Sequence, residues 1–201
     1  MGQWINQQFE DEDFSNQNYS EEEFVHCTFT RCKFKGTQLE EIITTGCQFV
    51  ECDFTNAYLN ASLHKESIFT NCQFMGANLF VAKFVACKMT GSDFADAQLD
   101  GVTLEGGDWS YTNLRHTHLT KQDFRGVLFY EADFHGCNLE KADLRNADLT
   151  RAQLGQTRLK GADLRGAKVD GIDFKSVDVA GVRMDEFQAV AFLKSYGAKV
   201  Q

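Results

Sequence analysis

The chain has 201 residues, of which 43% are hydrophobic and 24% charged, and it contains no proline; this size fits one domain. Its 29 acidic and 20 basic residues give a formal net charge of -9, which argues against direct nucleic-acid binding, because such binding needs Lys and Arg to displace counterions from phosphates. No apolar run approaches the roughly 20 residues that span a bilayer, and residues 1–10 show no secretory pattern, so we expect a cytoplasmic protein without membrane contact.

Apolar side chains recur every five residues from Trp4 to Met184. This central column has 37 positions, of which 35 are apolar or aromatic, and it holds 15 of the 18 phenylalanines. Five residues rotate an α-helix by about 500°, which leaves no constant apolar face. In a plain strand the odd spacing would alternate between two faces. The chain must therefore turn every five residues, and we assign residues 1–184 to one repeat domain.

Two further columns flank the central one. The position two residues earlier, the small column, holds small, β-branched or Cys residues from Cys27 to Val182, with Gln122 as the exception. The position two residues later, the corner, holds 12 of the 16 glycines. Residues two apart on an extended segment share a face, and glycine tolerates the positive φ of a turn. Each unit is therefore predicted to be a short extended piece followed by a corner.

The first units, residues 1–23, depart from this pattern in the small column. That column carries polar side chains there, at Gln7, Glu12, Gln17 and Glu22. A solenoid exposes an unpaired edge and an open core at each end, and both must be blocked against aggregation. We interpret residues 1–23 as an N-terminal capping coil.

Negative charge is concentrated in the first half of the chain. Residues 1–100 carry 15 acidic and 6 basic side chains, whereas residues 101–201 carry 14 of each. B-DNA bears one charge per roughly 1.7 Å, so about 20 Å of duplex holds about 12 charges. The N-terminal half has a comparable density, which favours local mimicry of DNA; a simple contribution to solubility is the alternative.

Thr44 and His64 are the two polar residues of the central column. They lie 20 residues apart, and next to them the apolar side chain moves to an outward position, as Ile43 and Leu63. A bulge or short loop there would present new side chains, and local breaks of pattern are typical of functional sites; drift without function is the alternative. The candidate partner-binding residues are Glu21, Glu22, Glu23, Glu40, Glu41, Ile43, Thr44, Leu63, His64 and Lys65.

All seven cysteines occupy the small column. Their intervals do not match zinc-ligand spacings, and free Cys behaves as a small buried hydrophobe. Cys32, Cys52 and Cys72 could approach closely enough for a disulfide, but an odd total and a cytosolic location argue against one. We interpret the cysteines as core residues.

Catalytic templates are absent from the sequence. His116, His118 and His135 could form a surface metal site, but no acidic ligand completes it, so solvated histidines are the preferred interpretation. There is no nucleophile elbow, phosphate-binding glycine loop or zinc-binding helix. We expect a protein that is not an enzyme and uses no metal or cofactor.

Residues 185–201 leave the five-residue pattern and are predicted to form a helix and tail. Asp185 suits the N-cap and Gly197 the position after the C-cap. The segment carries two apolar rows, whereas closing the core needs only one. It is either a cap alone or a cap whose second row forms a twofold dimer. The candidate dimer residues are Phe187, Val190, Ala191, Phe192, Leu193 and Tyr196.

Several units resemble the A(D/N)LXX consensus of pentapeptide-repeat proteins. The matching units are residues 142–146, 147–151 and 162–166, which read ADLRN, ADLTR and ADLRG. The resemblance covers about nine-tenths of the chain. It implies an all-β solenoid, a right-handed quadrilateral β-helix with four units per coil, here followed by a short C-terminal α-helix.

Within that family the chain is similar to the Qnr, MfpA and McbG group. The similar stretches are residues 8–15, 27–34 and 192–200. The resemblance implies a non-enzymatic, homodimeric bacterial protein that binds DNA gyrase or topoisomerase IV, partly by mimicking DNA charge, and counters quinolones or peptide gyrase poisons. Qnr proteins have two loops that break the repeat, and no register break is found here. The alternative is a structural or adaptor scaffold for an unrelated protein partner.

Overall fold

The computed structural model describes residues 2–200 as a parallel β-solenoid. Ten three-residue strands form two parallel sheets. The first sheet comprises β1 (Gln3–Ile5), β3 (Glu23–Val25), β5 (Ile43–Thr45), β7 (Leu63–Lys65), β9 (Lys83–Val85) and β10 (Thr103–Glu105). The second comprises β2 (Gln8–Glu10), β4 (Thr28–Thr30), β6 (Gln48–Val50) and β8 (Ile68–Thr70).

Each coil contains twenty residues and four faces. Strand pairs are offset by 20, as in Gln3↔Glu23, and single bridges with the same offset continue to Asp163↔Arg183, which makes about nine coils. We number the faces 1 to 4 by their central residues in the second coil, Phe24, Phe29, Phe34 and Leu39. The predicted fold class, a four-sided β-solenoid with a short C-terminal helix, is confirmed.

The corners are formed by residues in the left-handed region. Asn56 has φ 57° and Gly76 has φ 66°, and the other corners between residues 6 and 171 take the same sign. Positive φ costs L-residues with a Cβ more than it costs glycine. This explains why Gly and Asn gather at this position.

The central column fills the interior with stacked rings. On face 2, Phe9, Phe29, Phe49 and Phe69 stack in successive coils with ring centroids 4.6–5.0 Å apart. A second stack runs along face 3. Such pairs contribute about 0.5–1.5 kcal/mol each beyond burial, so the stacks align neighbouring coils and stabilise the rod.

The small column contributes hydrogen bonds as well as volume. The Thr37 hydroxyl donates to the Phe14 carbonyl (2.9 Å) and the Cys47 thiol to the Phe24 carbonyl (3.2 Å). The Ser92 hydroxyl makes the same kind of contact, donating to the Phe69 carbonyl at 3.1 Å. In each case the acceptor lies 23 residues earlier, so Ser, Thr and Cys satisfy carbonyls of the preceding coil. All seven cysteines are buried and free.

The C-terminal end is closed by helix α1, Glu186–Ser195. Asp185 is its N-cap and forms a capping box with Gln188. Phe192 packs edge-on against Phe174 at 5.8 Å, next to a 3₁₀ turn over Phe174–Ser176. Within residues 2–200 no helix has the length and apolarity to cross a membrane.

One seam interrupts the hydrogen-bond ladder inside the rod. On face 4, successive coils are bridged at Asn78↔Gln98, and on face 1 at Lys83↔Thr103. The next bridges on these faces, from residue 98 to 118 and from 103 to 123, are absent within residues 2–200. On faces 3 and 2 the coils stay paired at this level: the Phe94 N–H donates to the Asn113 carbonyl at 2.7 Å and the Trp109 N–H to the Leu128 carbonyl at 2.8 Å. The coils therefore separate on two of the four sides.

Gln122 explains the seam. It occupies the small column, where its long side chain does not fit between closely spaced coils. With the amide turned so that both of its ends are satisfied, its oxygen accepts from the Gly101 N–H at 3.3 Å and its nitrogen donates to the Val102 carbonyl. One side chain thus replaces backbone bonds that the ladder would otherwise supply.

We expect amide exchange to reveal this seam. The N–H groups of Leu99, Leu104 and Gly106 lack the bonds that their counterparts make one coil earlier, where Leu79 and Ala86 donate to backbone carbonyls at 2.9 and 3.0 Å. Native-state hydrogen exchange should therefore be much faster at the three seam amides than at the two counterparts. Equal protection would show that the ladder is continuous.

Candidate partner-binding surface

The bulge predicted at Thr44 and His64 is not present, and that prediction was wrong. Thr44 is central in β5 and His64 in β7, and the two strands pair in register. Their side chains are 0% and 1% exposed. Both residues therefore point into the core and cannot contact a partner.

A buried hydrogen-bond network lets these polar residues replace the aromatic column. Thr44 Oγ1 lies 2.8 Å from His64 Nδ1, and the Ser62 hydroxyl lies 2.9 Å from His64 Nε2. Ser67 completes the network, 3.0 Å from Thr44 Oγ1, and donates to the Lys65 carbonyl. Both ring nitrogens are satisfied, as a buried polar group requires, and the imidazole stacks on Phe84 at 4.7 Å.

Burial lowers the pKa of His64 to about 3. Moving a charged imidazolium into an apolar interior is costly, so the ring stays neutral in the folded protein. The unfolded chain binds a proton below about pH 6.5. Unfolding thus takes up a proton in this range, and the fold loses stability as the pH falls from about 6.5 towards 3.

We predict that His64 accounts for a distinct acid sensitivity. Between pH 6.5 and 4.5 the free energy of unfolding should fall by up to about 1.4 kcal/mol per pH unit. The triple variant Thr44→Val, Ser62→Ala, His64→Phe should lose most of this slope in urea titrations. His118→Gln, which changes an exposed histidine, should keep the wild-type slope. A triple variant with the wild-type slope would contradict the assignment.

Three predicted acidic residues meet at the corner between faces 4 and 1. Glu21 and Glu41 occupy this corner in successive coils, and the Glu21 N–H donates to the Glu40 carbonyl at 2.9 Å. The Glu40 carboxylate accepts from the Ser20 hydroxyl. Within residues 2–200, no Lys or Arg forms a salt bridge with any of the three. We call Glu21, Glu40 and Glu41 the acidic corner.

The two remaining acids of the first cluster are placed differently. Glu22 lies in the small column and turns towards the interior of the first coil, where its Oε2 is buried without a hydrogen-bond partner. Glu23 lies on face 1 and accepts from Gln3 Nε2 at 2.8 Å. Only Glu21 of the three presents an exposed carboxylate at the corner.

Three other acids of the first coils are neutralised locally. Arg31 bridges Glu10 (2.6 Å) and Asp11 (2.8 Å), and its hydrogen bonds hold the pKa of Asp11 below its usual value. Lys35 lies 3.0 Å from Asp53. Glu12, Asp13, Glu51 and Glu66 are exposed and, within residues 2–200, form no salt bridge either, so the acidic corner is one of several uncompensated acidic sites in the first coils.

The apolar and basic candidates lie on face 1 beside this corner. Ile43 and Leu63 are paired neighbours in β5 and β7, and both are half-buried. Lys65 is exposed at the end of β7. The structure thus brings Glu41, Ile43 and Leu63 onto one edge of the rod and leaves Thr44 and His64 beneath it.

The second half of face 1 carries paired charges. Arg125, Arg145 and Arg165 each hold the aspartate two residues earlier at 2.6 Å. These hydrogen bonds lower the pKa values of Asp123, Asp143 and Asp163. The pairs repeat in register, so this half of the face is close to neutral, unlike the acidic corner.

Helix α1 divides its apolar residues between two sides. Ala191 and Phe192 pack against the last coil, whereas Phe187 is 74% exposed and Leu193 and Tyr196 are also exposed. Val190 is half-buried. Gln188, which sequence reasoning missed, is buried and donates to the Ala167 carbonyl at 2.8 Å. Exposed Phe187 and Leu193 thus remain available as a second apolar row.

The nucleophilic and metal-binding groups show no catalytic arrangement within residues 2–200. Burial raises the pKa values of the Cys32, Cys47 and Cys87 thiols to about 11, which keeps them protonated. His116 and His135 approach each other, with ring centroids 6.1 Å apart. No group of three or more potential metal ligands occurs in this part of the chain.

Comparisons with known proteins agree with this geometry. Family profiles described as "Pentapeptide repeat region" and "Pentapeptide repeats (8 copies)" match residues 77–154, and residues 52–96 and 142–181, respectively. Together they extend from residue 52 to 181. No curated protein sequence matches.

Solved structures of QnrB1, a plasmid-mediated fluoroquinolone resistance protein, are similar in fold. One trypsin-treated variant has a TM-score of 0.86 at 21% identity, covering 99% of this chain and 100% of that one. A second gives 0.83 at 21% identity, covering 97% and 99%. The full-length protein gives 0.66 at 20% identity, covering 98% and 100%.

Proposed function

Because the chain belongs to the pentapeptide-repeat family, we propose that it is a non-enzymatic bacterial protein that binds a type II topoisomerase. The partner is DNA gyrase, topoisomerase IV or both, and binding counters quinolones or gyrase poisons. The similarity in fold to QnrB1, which extends over 99% of the chain, supports this proposal. The protein acts in the bacterial cytoplasm.

The observation that carries the proposal is the acidic corner. Topoisomerases bind DNA through basic surfaces, and such surfaces attract a partner with uncompensated carboxylates. Glu21, Glu40 and Glu41 lie on a rigid edge without basic partners among residues 2–200. They occupy successive coils about 4.8 Å apart, so the likeness to DNA charge is limited to this short edge. Direct binding of nucleic acid is not part of the proposal.

A gyrase assay tests the proposed function. Purified protein is added to a supercoiling reaction that contains a quinolone at its half-inhibitory concentration. We expect restored supercoiling at low protein concentration and inhibition at higher concentration, because protein and DNA would compete for one basic surface. No effect at micromolar concentrations, with either gyrase or topoisomerase IV, would leave the scaffold for an unrelated partner as the better interpretation.

Charge reversal tests the role of the corner. The double variant Glu21→Lys, Glu41→Lys should bind gyrase at least about ten-fold more weakly, since each reversal replaces an attraction by a repulsion of about 1 kcal/mol at the surface. The effect should shrink as the salt concentration rises. Asp170→Lys with Asp178→Lys changes charge equally at exposed sites of the second half. Equal loss in both variants would show that only net charge matters.

We also propose a homodimer formed through the outer row of α1. Phe187 and Leu193 expose apolar surface that the last coil leaves uncovered. A twofold contact would bury this surface on both copies of the chain. Phe187→Ser with Leu193→Ser should convert the dimer to a monomer in sedimentation equilibrium. Val200→Ser, in the exposed tail, should stay dimeric. A wild-type protein that sediments as a monomer would refute the dimer.

A further inference from the structure

An exposed apolar band crosses face 4 in the third and fourth coils. Tyr58 lies where the chain enters this face, Phe80 where it leaves, and Met75 and Val81 at or near the two bordering corners. Each is between 44% and 48% exposed. Tyr58 pairs with Asn78, and the Ala61 N–H bonds the Phe80 carbonyl at 2.9 Å, so the coils that carry these residues are directly adjacent.

The backbone conformation of Val81 is a second, independent feature of the band. It occupies a corner with φ 52°, and it is the single β-branched residue with positive φ among residues 2–200. A β-branched side chain is strained in this region, whereas the equivalent corners carry Gly or Asn at many positions. Strained backbone of this kind clusters at functional sites. Asn at this corner would relieve the strain.

The charged side chains that share face 4 with the band in the first five coils are acidic. On face 4 and its corners, the first five coils carry Glu21, Glu40, Glu41, Asp96 and Asp100 but no Lys or Arg. Lys83, on face 1 beside Val81, forms a salt bridge with Glu105. Val81 shares its corner with Glu41, two coils away, at about 10 Å. In the later coils the same face carries four basic side chains, Lys121, Lys141, Arg158 and Lys160, and two acidic ones, Glu140 and Asp178. An apolar patch with an acidic rim complements a protein surface that exposes an apolar residue among lysines and arginines.

We infer that the band formed by Tyr58, Met75, Phe80 and Val81 is the apolar core of the docking surface, with the acidic corner as part of its rim. The occupant is a basic protein surface with a protruding or recessed apolar side chain. This inference rests on the proposed function, because it takes the basic surface of a type II topoisomerase as that occupant. Aromatic anchors at the centre of an interface supply most of the binding energy, while rim charges mainly guide association.

The test uses purified full-length protein and DNA gyrase in equilibrium binding. Phe80→Ser and Tyr58→Ser should each weaken binding at least ten-fold, mainly through faster dissociation. Tyr111→Ser and Leu128→Ser are matched controls, since both residues are comparably exposed but lie on face 2. The controls should bind like wild type. Band variants that bind as tightly as the controls would overturn the inference.

Val81→Asn provides a sharper discrimination, because folding and binding should change in opposite directions. Removing the strained β-branched residue should raise the melting temperature, while loss of apolar contact should weaken gyrase binding. A variant with a higher melting temperature and unchanged affinity would show that Val81 is a neutral irregularity. A lower melting temperature would contradict the strain argument on which the inference depends.

Three outcomes separate the possible failures. If wild-type protein does not bind gyrase, the proposed function is wrong and the inference fails with it. If wild type binds and the band variants bind equally well, only the inference fails. If Phe80→Ser changes the sedimentation mass instead, the occupant is a second copy of the chain, which also overturns the inference.

Discussion

The left-handed corner, repeated every five residues, is the constraint on which the rest of the structure depends. It turns an extended segment before a strand can lengthen, so successive segments form four sides of a coil. Each coil then meets the next in parallel register, offset by twenty residues. Because proline cannot donate to such a ladder, its absence follows from the same constraint. The corner also fixes which side chains face inward, and hence which remain for binding.

This geometry places different constraints on the inward and the outward side chains. Inside, central side chains stack on those 20 residues before and after, and small-column donors such as Thr37, Cys47 and Ser92 satisfy carbonyls of the preceding coil. Two polar residues are tolerated there when they bond each other, as Thr44 and His64 do. Outside, no side chain is constrained by the core. The acidic corner and the apolar band are therefore features that folding does not require.

Much of the fold could be predicted from the sequence, since a five-residue period is incompatible with a helix or a plain strand. The site was only partly predictable. Polar central residues suggested a bulge, because sequence alone does not show that Ser62 and Ser67 would satisfy Thr44 and His64. Glu22 was grouped with Glu21 by adjacency, although one points inward and the other to a corner. Phe80 is the single phenylalanine of the repeat region outside the central column. Its outward position could have indicated the apolar band from the sequence.

The central claim is that the acidic corner and the apolar band on face 4 contact a type II topoisomerase. Hydroxyl-radical footprinting with gyrase tests it most directly, because Tyr58, Met75 and Phe80 are readily oxidised when exposed. The account predicts that gyrase protects these three side chains and leaves Tyr111, on face 2, as reactive as in the free protein. Protection of Tyr111 with continued oxidation of Met75 and Phe80 would contradict it.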